Sequence, residues 1–95
     1  MNNQENLKDH CLNKKIVHVS DELYRIDYYD ENNNLINIEC YENDKLKYYN
    51  KYHYDNKNNL TKKEYYYDNK LTSYDKYHYD NKNNKIKKNI IMMIN

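Results

Sequence analysis

Histidine and cysteine are common ligands of zinc, and their spacing decides whether the sequence predicts such a site. His53 and His78 occupy equivalent positions of a repeat, so in a sheet they would lie two strands apart, which is about 10 Å and too far to share a metal ion. Cys11 and Cys40 form no metal-binding or redox motif. We predict no metal site and no cofactor, and we expect free thiols and a cytoplasmic location, since the first residues show no apolar signal region.

The acidic residues offer no catalytic arrangement either. They fall in turn clusters, as Asp55 and Asp80 do, or alternate with lysines along the predicted strands. No nucleophile recurs beside a plausible base. We therefore predict that the protein is not an enzyme.

Tyrosine, lysine and histidine instead form a pattern that is typical of a binding surface. The chain has 14 tyrosines and no phenylalanine or tryptophan, which indicates that the rings lie where the hydroxyl meets water or a partner. The candidate binding face consists of Tyr49, His53, Lys63, Tyr65, Tyr74, Lys76 and His78. Such a face can stack on bases or sugar rings. Because 15 acidic residues nearly cancel 16 basic ones, the charge argues against nucleic acid and favours a protein or a carbohydrate.

A second candidate is an apolar interaction patch formed by Ile26, Ile36, Ile38 and Cys40. With the tail 90–94 it contains the hydrophobic residues that most need a cover. These residues either cover each other, lie under the N-terminal segment or contact a partner protein. The tail is far shorter than the roughly 20 residues that span a bilayer, so we predict no membrane span.

The candidate side chains lie in a part of the chain whose sequence repeats. The segment 54–60, YDNKNNL, recurs at 79–85 as YDNKNNK and at 29–35 as YDENNNL, so the three copies are evenly spaced. A fixed period predicts one supersecondary unit that is copied and stacked.

The pattern between these segments predicts an all-β fold, an antiparallel meander of six or seven strands built from 25-residue hairpin repeats. The predicted strands are 16–19, 23–29, 35–41, 46–54, 60–67, 71–79 and 86–94. We expect residues 1–14 to be a polar lead-in, where the spacing of Leu7, Cys11 and Leu12 allows a short helix. Residues 15–95 would form a single β-repeat domain, with repeats at about 29–53 and 54–78 and partial copies at each end.

Asparagine and aspartate are expected to form the turns, because they tolerate the left-handed backbone conformation and the chain has no glycine. The clusters predict five-residue loops at 30–34, 55–59 and 80–84 and two-residue loops at 43–44 and 68–69.

Loop length also predicts the strand register. A two-residue loop at 68–69 sets Lys62 opposite Asp75, whereas one more residue would set Lys62 opposite Lys76, a destabilising pair of like charges. By the same logic Arg25 faces Glu39. We therefore predict a first, structural face and a second face that carries both candidate sites.

The segment Tyr52-His53-Tyr54-Asp55 through Leu60 resembles the tyrosine-aspartate (YD) repeats of the Rhs family. In that family the repeats form long β-sheet shells around a polymorphic C-terminal toxin. Asn58 stands where the family has glycine, and too few repeats are present to enclose anything, so the encapsulating role is not carried over. The segment 41–46, YENDKL, is similar to the Tyr-Glu-Asn-Gly-Lys-Leu hairpins of MORN-type repeats.

Together these patterns predict a non-enzymatic β-repeat module that acts as a structural or protein-interaction surface. The expected partners are another protein or a second copy that pairs through the exposed sheet edges. The alternatives are a tyrosine-rich glycan-binding repeat and a truncated repeat fragment without independent function.

Overall fold

The computed structural model describes residues 13–92, which form one open antiparallel sheet of seven strands in chain order. The predicted all-β meander is thereby confirmed. Residues 1–12, which include Cys11 and most of the predicted lead-in, and residues 93–95 lie outside the described part. The strands are β1 (Asn13–His18), β2 (Leu23–Tyr29), β3 (Leu35–Glu42), β4 (Lys45–Tyr54), β5 (Leu60–Tyr67), β6 (Lys70–Tyr79) and β7 (Lys85–Ile91).

The five-residue loops are closed by an aspartate at the first position. In the middle copy, Asp55 Oδ1 accepts hydrogen bonds of 2.9 Å from the backbone N–H groups of Lys57 and Asn59. The fourth residue, Asn58, has a φ of 64°, in the left-handed region that asparagine tolerates best after glycine. The same bonds and the same positive φ recur in the loops that begin at residues 30 and 80. The predicted role of asparagine in these turns is confirmed.

The two-residue loops are tight turns in which both residues have a positive φ. The values are 52° and 64° at Asn43 and Asp44, and 52° and 59° at Asp68 and Asn69. Two successive left-handed residues define the turn whose twist matches that of the flanking strands. Both predicted two-residue loops are therefore present.

The predicted register is wrong in the strand centres because four of the six hairpins contain a β-bulge. Tyr66 pairs with Leu71 as predicted, but the register then shifts by one residue, so Lys62 pairs with Lys76 and Asp75 pairs with Lys63. A bulge places two residues of one strand opposite one residue of the other and moves the following side chains to the opposite face.

The same kind of shift changes the pairing of Arg25, which was predicted to face Glu39. Arg25 pairs with Cys40, and Glu39 pairs with Ile26. Residues that pair directly share a face of the sheet. Arg25 therefore lies on the first face, together with Tyr52 and Asp75, and Glu39 lies on the second.

The core of this single-layer sheet is small. Among the described residues the buried hydrophobic side chains are Ile36 and Tyr52. Tyrosine hydroxyls add support between hairpins, since Tyr54 donates a 2.7 Å hydrogen bond to the carbonyl oxygen of Leu35. The equivalent bond in the next repeat joins Tyr79 to the carbonyl oxygen of residue 60 at 2.9 Å. The repeat of the sequence thus corresponds to a repeat of contacts.

Candidate functional site

The residues of the candidate binding face are divided between the two faces of the sheet. Lys63 and Tyr65 lie on the first face: Lys63 pairs with Tyr52 and Asp75, and its Nζ lies 5.3 Å from the ring centroid of Tyr52. The β5 bulge next to residue 60 causes this displacement. The structure brings the other five together on the second face: Tyr49, His53, Tyr74, Lys76 and His78.

The centre of the second face is a pair of stacked tyrosines beneath a lysine. The rings of Tyr49 and Tyr66 lie 4.6 Å apart and are inclined by 10°. Lys51 Nζ lies 5.2 Å from the Tyr66 centroid and 5.8 Å from the Tyr49 centroid, within the range of a cation–π interaction. The aromatic faces of this pair are therefore in contact with each other and with a lysine of the same sheet.

Glu64 joins this stack to His53. His53 Nε2 lies 2.6 Å from Glu64 Oε1, and Tyr66 donates a 3.4 Å hydrogen bond to the other carboxylate oxygen. Lys62 Nζ lies 3.5 Å from the same carboxylate. Burial by itself would raise the pKa of Glu64, but His53 and Lys62 lower it below its ordinary value. Burial, together with the Glu64 charge, raises the pKa of Tyr66 to about 12.

An equivalent cluster lies one repeat earlier in the chain. The rings of Tyr24 and Tyr41 stack at 5.0 Å with an angle of 9°. Glu39 accepts hydrogen bonds from the hydroxyls of Tyr28, at 2.6 Å, and Tyr41, at 3.1 Å. Burial and the Glu39 carboxylate raise the pKa of Tyr41 to about 12. Periodicity alone does not predict these clusters, because the bulges set which side chains meet.

A row of lysines crosses the second face toward the end of the sheet. Lys62 on β5 pairs with Lys76 on β6, and Lys76 pairs with Lys88 on β7. Directly opposed like charges destabilise a sheet. The charge of Lys62 is compensated by Glu64 and by the Tyr74 ring. The centroid of that ring lies 4.7 Å from Lys62 Nζ. Lys76 and Lys88 are exposed and form no ion pair within residues 13–92.

The first face is organised around a buried carboxylate. Asp75 is 1% exposed and accepts hydrogen bonds from the Tyr65 hydroxyl, at 2.8 Å, and from Asn89 Nδ2, at 2.7 Å. Lys87 Nζ lies 3.7 Å away. Burial by itself would raise the pKa of Asp75. The hydrogen bonds from Asn89 and Tyr65 nevertheless hold this pKa below its ordinary value. Burial and the Asp75 carboxylate raise the pKa of Tyr65.

A cavity of about 380 Å³ opens where β2–β5 meet the two-residue loops. Its apolar wall includes the exposed side chains of Leu23, Tyr48 and Tyr67. Its charged groups are Arg25 and a Lys47–Glu42 ion pair of 3.0 Å. The sequence pattern did not identify this cavity, because its residues come from strand ends that the bulges bring onto one face.

The candidate apolar patch is not brought together. Ile36 is the buried bulge residue of β3, and Ile26 pairs with Glu39 on the second face. Ile38 pairs with Asp27, and Cys40, a free thiol, pairs with Arg25, which places both on the first face. The exposed large hydrophobic residues lie elsewhere, mainly at strand ends and sheet edges: Ile16, Val19, Leu23, Leu46, Tyr48, Tyr67, Ile86, Ile91 and Met92.

Residues 13–92 contain no group of three or more histidine, cysteine, aspartate or glutamate side chains that could hold a metal ion. In the same part of the chain, no helix is long and apolar enough to cross a membrane. The fold and the surface define the class as an open, single-layer antiparallel β-meander with a tyrosine- and lysine-rich second face. No family model, curated protein or solved structure matches the chain.

Proposed function

We propose that this chain is a non-enzymatic β-repeat module whose sheet serves as a protein-interaction surface. The proposal rests on the small number of hydrophobic side chains that are buried, compared with the number that are exposed. In residues 13–92 the buried hydrophobic side chains are Ile36 and Tyr52, whereas nine large hydrophobic side chains are exposed. A sheet normally buries one face against a second layer. A partner that covers part of this surface would supply that layer.

The second face has the composition of an interaction surface. Tyrosines are enriched at protein interfaces because one end of the side chain is apolar and the other forms hydrogen bonds. The Tyr49–Tyr66 stack and its Glu64 partner hold these side chains in fixed positions before binding, which reduces the entropy that binding would cost. Lys76 and His78 are exposed on the same face, on β6.

The test is reconstitution of a complex from purified components. A partner identified by crosslinking in cells is purified, and its Kd is measured by calorimetry with the wild-type chain and with the Lys76→Ala/His78→Ala variant. Both side chains are exposed, so the variant folds and we expect binding to weaken at least tenfold. Lys57→Ala, in an exposed loop, is the matched control and leaves Kd unchanged. A partner whose Kd is the same for all three proteins would contradict the use of this face.

A second candidate function, glycan binding, is favoured by the cavity on the first face. Tyr48 and Tyr67 are exposed and pair across β4 and β5, beside the charged groups of Arg25, Glu42 and Lys47. Aromatic walls with a few polar groups are typical of small-ligand sites. A saturable change in tyrosine fluorescence on addition of oligosaccharides, lost in Tyr67→Ala, would favour this function. The absence of any change across a glycan array would exclude it.

A further inference from the structure

The last strand, β7, presents an unpaired row of backbone groups. The β6–β7 ladder begins with a bond from the Asp80 N–H to the Asn84 carbonyl and ends with one from the Met92 N–H to the Thr72 carbonyl. In an antiparallel ladder, residues that bond to the neighbouring strand alternate with residues that point away from it. The even-numbered residues of β7 therefore bond to β6. The outward N–H and C=O groups belong to Lys85, Lys87, Asn89 and Ile91.

This edge is regular, as the β1 edge is, whereas the pairings from β2 to β6 each contain a bulge. The β6–β7 pairing continues over seven residue pairs without a bulge, and β7 contains no proline. Ile86 is 53% exposed and Ile91 is 74% exposed. Natural proteins usually protect such an edge with a bulge, a proline, charged side chains such as lysine, or a covering segment. Of these devices β7 has only its lysines, which oppose a strand of like charge but not an acidic one. Within residues 13–92, β6 is the only strand that pairs with β7.

The charge of β7 indicates what kind of strand the edge accepts. It carries Lys85, Lys87 and Lys88 and no acidic residue. Lys88 ends the row of opposed lysines that begins at Lys62, and this repulsion is relieved if a carboxylate lies opposite Lys88 on the next strand. Lys87 Nζ lies 3.7 Å from Asp75 Oδ2, but the Lys87 side chain is 57% exposed.

We propose that β7 is a docking edge for an acidic, extended segment of a partner protein, which adds as an eighth antiparallel strand. The proposal rests on the protein-interaction function and names the partner's chemistry. Backbone hydrogen bonds give such strand addition its affinity, and alternating side chains give it specificity. Carboxylates opposite the three lysines and apolar side chains opposite the isoleucines complement β7 on both faces.

A second copy of the chain is a poorer occupant of this edge. Pairing two β7 strands would bring three lysines of each copy together. The opposite edge, β1, carries Lys14 and Lys15 and again no acidic residue. Like charges that face each other across strands are destabilising, so both homotypic and head-to-tail pairing of edges are opposed.

The register defines a peptide probe. Read antiparallel to Ile91 through Lys85, the complementary sequence is acetyl-Val-Ile-Asn-Glu-Glu-Val-Glu-amide. Its glutamates lie opposite Lys88, Lys87 and Lys85. A matched peptide carries N-methyl groups on the third and fifth residues, whose N–H groups would bond to the outward carbonyls of β7. This second peptide has the same charge but cannot add as a strand.

The experiment titrates each peptide into the intact chain and follows the amide NMR spectrum. We expect saturable shifts in β6 and β7 and slower hydrogen exchange at Lys87 and Asn89 with the first peptide. We expect affinity to fall at least tenfold with the N-methylated peptide, and about twofold to fivefold for the Lys88→Gln variant, whose backbone edge is intact. Lys57→Gln is the control and leaves affinity unchanged.

Three outcomes would overturn the proposal: no shift at millimolar peptide, equal affinity for the N-methylated peptide, or tighter binding of polyphosphate or single-stranded DNA at the same residues. The last would assign the lysine row to phosphate polymers. If the peptide does not bind but Lys76→Ala/His78→Ala still weakens a reconstituted protein complex, the protein-interaction function is supported. In that case β7 is not the edge to which the partner binds.

Discussion

Asp75 is the side chain whose replacement tests the structure most sharply. It is 1% exposed and accepts short hydrogen bonds from Tyr65 and Asn89. A hydrogen bond to a charged group contributes about 1.5–3 kcal/mol, and a buried donor left without a partner adds its own desolvation cost. Asp75→Ala removes both bonds. We therefore expect it to lower the free energy of unfolding by about 3–5 kcal/mol, a large part of the stability of a small domain.

Asp75→Asn separates charge from shape. The amide keeps the size of the carboxyl group but can accept only one of the two bonds, so we expect a loss of about 1.5–3 kcal/mol. Urea unfolding followed by tyrosine fluorescence measures both variants, since tryptophan is absent. Asp21→Asn, an exposed substitution of the same chemistry, is the control and stays within about 0.5 kcal/mol of wild type.

The pH dependence of the same variant has a defined sign. The folded state holds the pKa of Asp75 below the ordinary value of 3.8, so the carboxylate stabilises the fold above that pH. The difference between wild type and Asp75→Asn should be constant at neutral pH and shrink as the pH falls below 3.8 through the lowered pKa. For Asp75→Ala, a loss below about 0.5 kcal/mol, the range of ordinary surface substitutions, would refute the buried, hydrogen-bonded position of this carboxylate. A difference for Asp75→Asn that does not depend on pH would refute it as well.

Three further predictions concern the turns, the lysine row and the tyrosines. Asn83→Gly should raise the free energy of unfolding by about 0.5 kcal/mol in urea titrations because φ is 65° there, whereas Asn81→Gly, in the same loop without a positive φ, should lower it. Lys76→Glu should stabilise the sheet by about 0.5 kcal/mol by relieving its repulsion with Lys62, and no gain over Lys70→Glu would contradict the observed register. In an alkaline titration at the phenolate absorbance, three tyrosines should ionise only near pH 12 rather than near 10, namely Tyr41, Tyr54 and Tyr66.

The sequence predicts the strands and turns well because those signals are local. The five loops after β2 have asparagine where the backbone is left-handed, joined by aspartate in the two-residue loops. The strands between these loops combine tyrosine with aliphatic residues. These features depend only on neighbouring residues. Strand order followed from the short loops, which allow only adjacent antiparallel pairing.

The face on which each side chain lies could not be predicted in the same way, because no local sequence pattern marks the positions of the bulges. The extra residue beside each turn moved Lys63 and Tyr65 to the first face and brought Lys62 opposite Lys76. The pairing rule for charges predicted the opposite, but Glu64 and Tyr74 compensate the lysine in the folded chain. The third copy lacks the bulge altogether, which leaves β7 regular at the end of the sheet.

Residue-resolved amide hydrogen exchange of the isolated chain tests whether the sheet is open and leaves an edge free for a partner. The structure predicts an alternation along β7, with slow exchange at Ile86, Lys88 and Ile90 and fast exchange at Lys87 and Asn89. Strands β3–β5 should be protected throughout. Uniform protection along β7 in the monomer would show that the edge is already covered. Uniform fast exchange across the sheet would show that the chain does not fold alone. Either result would contradict an open sheet that folds alone and has a free edge.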